Sequence, residues 1–295
     1  VSAEDRQSQL AREHKERQAK RAEQTTASKR NVVIGAVAAL VVVAGGLFAG
    51  VTLLGNNGDD AKINAAATSS PAPSETAAVT PQPTFTADPV TTKCSYRKDT
   101  SGSPEKNVGM PPSRPNLKLK TMTITTNHGN VVIDLATAQA PCTVNSFAFL
   151  ARKNFFDNTK CHRLATPENS GVSLLQCGDP QAKADGKNRT DGQGSSGYVY
   201  DSENLGGIPY SKGTVAVAQA VEAVNQNGSQ FWISLGDETQ QVEAAYTPFG
   251  VVSQGMEILE KIAKGGWITN PEDISGDGGS NAPKIPVIIK NVRLS

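Results

Sequence analysis

Arg163, in the run Cys161-His162-Arg163, is the side chain best suited to chemistry in this chain: a guanidinium stays charged and offers several donors in a fixed fork, as a lysine does not. Amide and apolar residues recur downstream of it in four further runs: LLQCGDP (Leu174 to Pro180), GTVAVAQA (Gly213 to Ala220), NGSQFWI (Asn227 to Ile233) and YTPFGVV (Tyr246 to Val252). Other chemistries lack their residues. His14, His128 and His162 are dispersed, so no metal site is expected, and His162 reads as a buried strand histidine. GQGSSG (Gly192 to Gly197) has no Lys-Ser/Thr at P-loop spacing and reads as a flexible loop on the active-site side. No G-x-S-x-G elbow occurs, and DISGDGGSN (Asp273 to Asn281) lacks the terminal glutamate of a calcium loop, which leaves a turn.

The elements that must hold these residues follow from periodicity. Leu117 to Thr126 alternates apolar and polar, Asn127 to Asn130 supplies a turn, and Val131 to Leu135 resumes the apolar run, which predicts a β-hairpin. Pro141 opens a helix in which Val144, Phe147 and Leu150 recur at helical spacing. Short strands are expected at 160–165, 172–177, 213–220, 230–235 and 249–253, a second helix at 256–264 and a last strand at 284–294. Phe231 and Trp232 are adjacent on one strand, so one packs inward and the other faces out. This mainly β pattern with two helices points to a closed antiparallel barrel.

Composition locates that domain. The chain has 295 residues and a net charge of +1, which gives no field pointing to nucleic acid. Of 2 Trp, 5 Tyr and 8 Phe, only Phe48, Phe85 and Tyr96 precede Asn116, so one domain is expected over 117–295. Residues 1–31 are charged and nearly devoid of large apolar side chains. Val32 to Leu54 holds no charge over 23 residues, long enough as helix to cross a bilayer. Eight basic residues precede it and GNNGDDAK follows, so the positive-inside bias places residues 1–31 in the cytoplasm and the rest outside. Residues 55–116, rich in Ala, Thr, Ser and Pro, read as a tether, with Cys94 a candidate point of docking onto the domain.

The five runs, taken in order over about 175 residues, resemble the cyclophilin family of peptidyl-prolyl cis-trans isomerases, and with the apolar segment the membrane-anchored extracytoplasmic bacterial type. The resemblance implies an eight-stranded closed antiparallel β-barrel capped by two helices, with the active site on its outer face and no cofactor or metal. It implies a catalytic Arg163 with Gln176 beside it and Gln230 holding the substrate backbone. Leu174 and Trp232 would line a proline pocket, Ala218 and Gln219 the edge for the preceding residue, and Val242 and Tyr246 the far wall. Partners would be proline-containing polypeptides, secreted or of the envelope; a slow or non-catalytic proline-segment binding module at the envelope is the alternative.

The residue types fit that chemistry. An amide resists rotation by ~18–20 kcal/mol because the nitrogen lone pair is conjugated with the carbonyl. A fixed guanidinium that donates to the nitrogen as it becomes pyramidal lowers this barrier without a nucleophile or proton relay.

Two departures from the family pattern stand out. The interval from Arg163 to Gln176 is about five residues longer than usual and lacks the family's pocket phenylalanine, Ser173 lying nearest by register. Gln241 stands near the place of a tryptophan that helps relatives bind cyclosporin, so weak cyclosporin binding is expected. Cys94, Cys142, Cys161 and Cys177 all follow the apolar span without a CxxC, which points to structural disulfides outside the cell. Alternation puts Cys161 on the face of Arg163 and Cys177 on the opposite one, so Cys142–Cys161 with Cys94–Cys177 is the expected pairing and Cys161–Cys177 is disfavoured.

Overall fold

A computed structural model of the chain describes residues 87–88, 91–219, 223–273 and 278–295. The expected cytoplasmic head, the span at 32–54 and most of the tether lie outside these residues. Among the described residues no helix is long and apolar enough to cross a membrane.

The hairpin forms as its pattern requires. Strands β1 (Tyr96–Lys98), β2 (Thr121–Thr126) and β3 (Gly129–Leu135) come first, and β2 and β3 pair antiparallel from Thr121↔Asp134 to Thr126↔Gly129. Alternation turns Met122, Ile124, Val131 and Ile133 into the core. Helix α1 (Pro141–Arg152) has proline in its first turn, where no amide partner is lost. Its free N–H groups are taken by a distant carboxylate: Glu203 accepts from Cys142 N, Thr143 N and Thr143 Oγ1 at 2.7–3.0 Å. Phe147 on α1 stacks on Phe249 at 4.6 Å and meets Phe231 edge-on at 5.6 Å, joining the helix to the sheet. Each such buried ring contributes roughly 1.5–3 kcal/mol.

The chain continues through β4 (Thr159–Lys160), β5 (Arg163–Ala165), the single-turn α2 (Pro167–Ser170), β6 (Leu174–Cys177), β7 (Tyr198–Tyr200), β8 (Thr214–Val217) and β9 (Phe231–Ser234). A 3₁₀ turn (Asp237–Gln241) leads to β10 (Pro248–Gln254), α3 (Met256–Lys264), β11 (Trp267–Ile268), β12 (Ala282–Pro283) and β13 (Ile288–Leu294). Helix α3 buries Leu259 and Ile262 from one face. Gly255, at φ +88°, starts it where a Cβ would lie 2.4 Å from the Asn130 carbonyl.

Nine strands form the main sheet in the order β4-β13-β2-β3-β10-β8-β9-β6-β5. Its two edge strands, β4 and β5, are separated in the chain only by Cys161 and His162, so the sheet must curl until its ends meet. Cys161 N donates to Val287 O beside β13, and His162 N donates to Gln176 O on β6. The mainly β architecture agrees with the sequence, but the ladder has nine strands and is open between β4 and β5, where eight in a closed ring were expected. The cause is local: the strand expected at 160–165 breaks at 161–162, and each half pairs with a different end of the sheet.

That break also overturns the expected disulfides. The structure pairs Cys94 with Cys142 and Cys161 with Cys177. Alternation failed because Cys161 is outside any strand; it turns into the core, 1% exposed, beside Cys177 on the core face of β6. Neither the Cys142–Cys161 nor the Cys94–Cys177 bridge forms.

Residues read as the end of the tether pack onto the domain. Strand β1 pairs with β7 (Tyr96↔Tyr200, Lys98↔Tyr198), Cys94 is bonded to α1, and the Tyr96 hydroxyl donates to Cys142 O at 2.8 Å. Lys106 Nζ donates to Phe155 O. Tyr96 meets Tyr198 and Tyr200 edge-on at 5.7 and 5.6 Å and Val108 packs against the main core, so the arm is held by apolar packing as well as by a covalent bond, a strand pair and polar contacts.

Candidate active site

The sheet's register builds the site. Arg163 on β5 lies opposite Gln176 on β6, Gln176 opposite Trp232 on β9, and Trp232 opposite Ala216 on β8. One residue along, Leu164, Leu175, Ile233 and Val215 form the parallel row that faces the core. Because side chains alternate, the first row must point away from the core, and a second step along it adds Ala165, Leu174 and Ser234. Phe231 belongs to the main core and Trp232 to a separate outer cluster, as their adjacency requires.

That outer cluster is an apolar bowl. Ala165, Leu174, Tyr210, Ala216 and Trp232 are buried in it, with Val172, Ala218, Val242 and Tyr246 packed against them. Tyr210 and Tyr246 meet the Trp232 ring edge-on at 5.2 and 5.9 Å. The Tyr210 hydroxyl donates to Tyr246 O at 2.6 Å and accepts from Tyr246 N at 3.0 Å, so it fixes the backbone of the opposite wall. Burial pushes its acidity down, raising its pKa to about 12, and it stays a neutral donor at any ordinary pH.

Beside the bowl runs a polar rail. Gln176 Nε2 donates to Gln230 Oε1 at 2.9 Å, and Gln230 Nε2 donates to the carbonyls of Gly192 and Gly194 at 2.8 and 2.9 Å. The 192–194 loop is fixed from below by fully buried Asp179, whose Oδ2 accepts from Gly192 N and Gly194 N. A Cβ on Gly194 would fall 1.9 Å from Asp179 Oδ1, so only glycine lets the loop approach this carboxylate. Gly178, at φ +92°, lets β6 end against Ser229, whose carbonyl a Cβ would meet at 2.3 Å. GQGSSG is therefore a pinned loop, where a flexible one was expected.

His162 lies under this loop, fully buried, and a Cβ on Gly192 would touch its Nε2 at 3.3 Å. It sits in the connection between β4 and β5, where a strand position was expected. Burial lowers its pKa below the usual imidazole value, against the opposing pull of Asp179 and Asp191.

All nine residues singled out from the sequence, Arg163, Leu174, Gln176, Ala218, Gln219, Gln230, Trp232, Val242 and Tyr246, line one groove of about 550 Å³. Gln219 is held there by its amide, which donates to Ala245 O at 2.7 Å. Sequence reasoning missed five contributors. Tyr210, in the connection between β7 and β8, packs against Trp232 without itself lining the groove; its aromatic type beside Pro209 was the available signal. Asp179 was visible in LLQCGDP but had no assigned role. Asp99, Ser101 and Ser103 reach the groove from the arm. The long interval after Arg163 is taken up by α2, capped by Thr166, and Gln241 donates to Gly171 O at 2.6 Å at its end.

Comparison with known proteins bears on this geometry. The family model for cyclophilin type peptidyl-prolyl cis-trans isomerase/CLD matches residues 121–294. A probable peptidyl-prolyl cis-trans isomerase B of Mycobacterium leprae is 39% identical over 182 residues, 57% of this chain and 55% of the relative. Its counterpart in Mycobacterium tuberculosis is 35% identical over 187 residues, 59% of this chain and 54% of the relative. The chain thus spans about half the length of these mycobacterial relatives. Among solved structures, a Cryptosporidium parvum cyclophilin type peptidyl-prolyl cis-trans isomerase, crystallised in the presence of the dipeptide Ala-Pro, aligns with a TM-score of 0.47 and 26% identity, over 60% of this chain and 99% of that one. The family match, covering more than half of the residues, establishes that the chain belongs to the cyclophilin type peptidyl-prolyl cis-trans isomerase family.

Proposed function

We propose that this protein is a peptidyl-prolyl cis-trans isomerase acting on Xaa-Pro bonds of secreted or envelope polypeptides. The observation that carries the reading is the row Arg163–Gln176–Trp232, which sets a guanidinium and an amide on one sheet face beside an apolar bowl. Leu174, Trp232, Val242 and Tyr246 grip the proline ring, while Ala218 and Gln219 flank the preceding residue. Arg163 donates to the prolyl nitrogen as its lone pair leaves conjugation, and Gln176 stands next to it. Gln230 has both amide hydrogens engaged, on Gly192 and Gly194, so its remaining capacity is an Oε1 lone pair that accepts a substrate N–H. Lowering the barrier by ~6–8 kcal/mol gives an acceleration of roughly 10⁴–10⁶.

The charge-free segment at 32–54 and the basic residues before it support a single-pass anchor with the isomerase domain outside the cytoplasm. Two disulfides in that domain are consistent with an oxidising compartment. The catalytic reading is tested by following relaxation of a proline tetrapeptide with the full chain in detergent. Acceleration that Arg163→Ala abolishes supports it, and the uncatalysed rate with intact peptide binding favours the binding module. Protease added outside intact cells digests the domain if the anchor reading holds and spares it otherwise.

A further inference from the structure

The arm that carries β1 precedes the family-matched residues 121–294, yet it forms part of the groove wall. Its position is imposed from both ends. Cys94 is bonded to α1, β1 pairs with β7, Ser195 N donates to Pro104 O, and Lys106 N donates to Ser195 O. These bonds set Asp99, Ser101 and Ser103 along the groove. Asp99 Oδ2 accepts from the Ser195 hydroxyl at 2.5 Å and Oδ1 from Ser101 N at 2.9 Å. Ser195 follows Gly194, whose carbonyl holds Gln230, so one short loop links this carboxylate to the polar rail. Along that loop the arm lies beyond Gln230, whereas the bowl begins at Trp232 on the other side.

The charges make Asp99 the groove's available anion. Asp191, the other acid in its lining, has its oxygens engaged by Lys183 N, Ala184 N and Asn188 Nδ2 and is 2% exposed. Two cations of the arm are directed elsewhere, Arg97 to Asp201 and Asn225 O and Lys106 to Phe155 O, and Arg163 is the cation of the groove itself. Burial pushes the Asp99 carboxyl up, but the hydrogen bonds from Ser195 and Ser101 outweigh it and hold it below its usual value, so it is ionised at neutral pH.

We propose that the arm adds a second subsite to the groove, in which Asp99, with the hydroxyls of Ser101 and Ser103, receives the lysine or arginine side chain of a polypeptide whose Xaa-Pro bond lies at Arg163. The inference rests on the isomerase reading above and deepens it by naming a preferred substrate charge. The arm would then select among proline-containing segments, leaving the bond chemistry to the barrel.

The test uses the full chain and Xaa-Pro peptides carrying Lys, Ala or Glu at successive positions on either side of the bond. Within each variant the ratio of kcat/KM for Lys over Ala peptides is read, so an overall loss of activity cancels. The ratio is expected to be about 2 to 5 on one side of the proline at low salt, as for a partly exposed ion pair, and to shrink as salt rises. Asp99→Asn brings it to about one, and Asp99→Lys inverts the preference in favour of Glu peptides. Glu260→Gln, an exposed acid on α3 paired with Lys212, keeps the wild-type ratio. No lysine preference in the wild type, or one that survives Asp99→Asn, overturns the subsite. If no peptide is turned over at all, the isomerase reading fails, and the same ratio taken from peptide dissociation constants decides the subsite separately.

Discussion

Tyr210 offers the sharpest perturbation of the pocket, because Tyr210→Phe removes one oxygen and leaves the ring. The ring is 4% exposed and meets Trp232 edge-on at 5.2 Å, contacts that phenylalanine keeps. The lost hydroxyl made two bonds to the Tyr246 backbone, at 2.6 and 3.0 Å. At ~0.5–1.5 kcal/mol net for each, the variant loses about 2 kcal/mol of stability. For a folded unit of roughly 200 residues that lowers Tm by about 6 °C in a reversible thermal melt. The same loss frees Tyr246 on the far wall of the bowl, so kcat/KM for a proline tetrapeptide falls about 3- to 10-fold, equivalent to ~0.7–1.4 kcal/mol at the transition state. Tyr210→Ala falls further in both readings, since it also removes the ring against Trp232. A Tyr210→Phe protein with wild-type Tm and wild-type kcat/KM refutes the argument that this hydroxyl fixes Tyr246. A lowered Tm with unchanged kcat/KM keeps the bonds and refutes their catalytic relevance.

Non-reducing peptide mapping recovers Cys94 joined to Cys142 and Cys161 joined to Cys177; with a loop of 48 residues, the Cys94→Ser/Cys142→Ser variant loses about 4 kcal/mol of stability and its arm becomes protease-sensitive. His162 is held neutral by burial, with its folded pKa depressed below the unfolded value, so the unfolded chain binds the extra proton and stability is lost as pH falls below the imidazole's ordinary 6.5. As pH falls from 6.5 to 5 the wild type therefore loses stability that His162→Gln does not, a difference visible in denaturant midpoints. Cyclosporin inhibits weakly, because Gln241 is spent on Gly171 O at the end of α2 and is absent from the groove lining; a low-nanomolar inhibition constant contradicts this.

How far the site was legible follows from where the chain is regular. Helix α3 is where its spacing put it, at 256–264, because Leu259 and Ile262 fall on one face and Gly255 sets its start. The outward row of Arg163, Gln176 and Trp232 follows from strand alternation, which holds wherever a strand is continuous. The same rule misplaced Cys161, because the chain leaves the strand for two residues where the sheet's ends meet, and no pattern in a six-residue run marks such a break. Docking of the arm through Cys94 was expected and the bond to Cys142 bears it out, but the extent of its packing was not legible. Cys94, Tyr96 and Val108 anchor it, too few apolar residues for composition to separate it from a solvated tether, and backbone pairing with β7 and polar contacts add to them. Tyr210 sits in a Gly- and Pro-containing connection with no period, so its burial depends on a bowl that exists only once β8 and β9 are paired.

The central claim is that Arg163 acts on the bond and the bowl only holds the ring. Exchange spectroscopy on a proline peptide measures cis-trans interconversion and binding in the same sample, with the full chain in its wild-type, Arg163→Lys and Arg163→Ala forms. Exchange is expected to be accelerated by roughly 10⁴ or more in the wild type. Both variants are expected to lose at least about a hundredfold, since lysine lacks the fixed fork of donors, while the peptide's dissociation constant changes by less than about threefold. Exchange in Arg163→Ala as fast as in the wild type contradicts the claim.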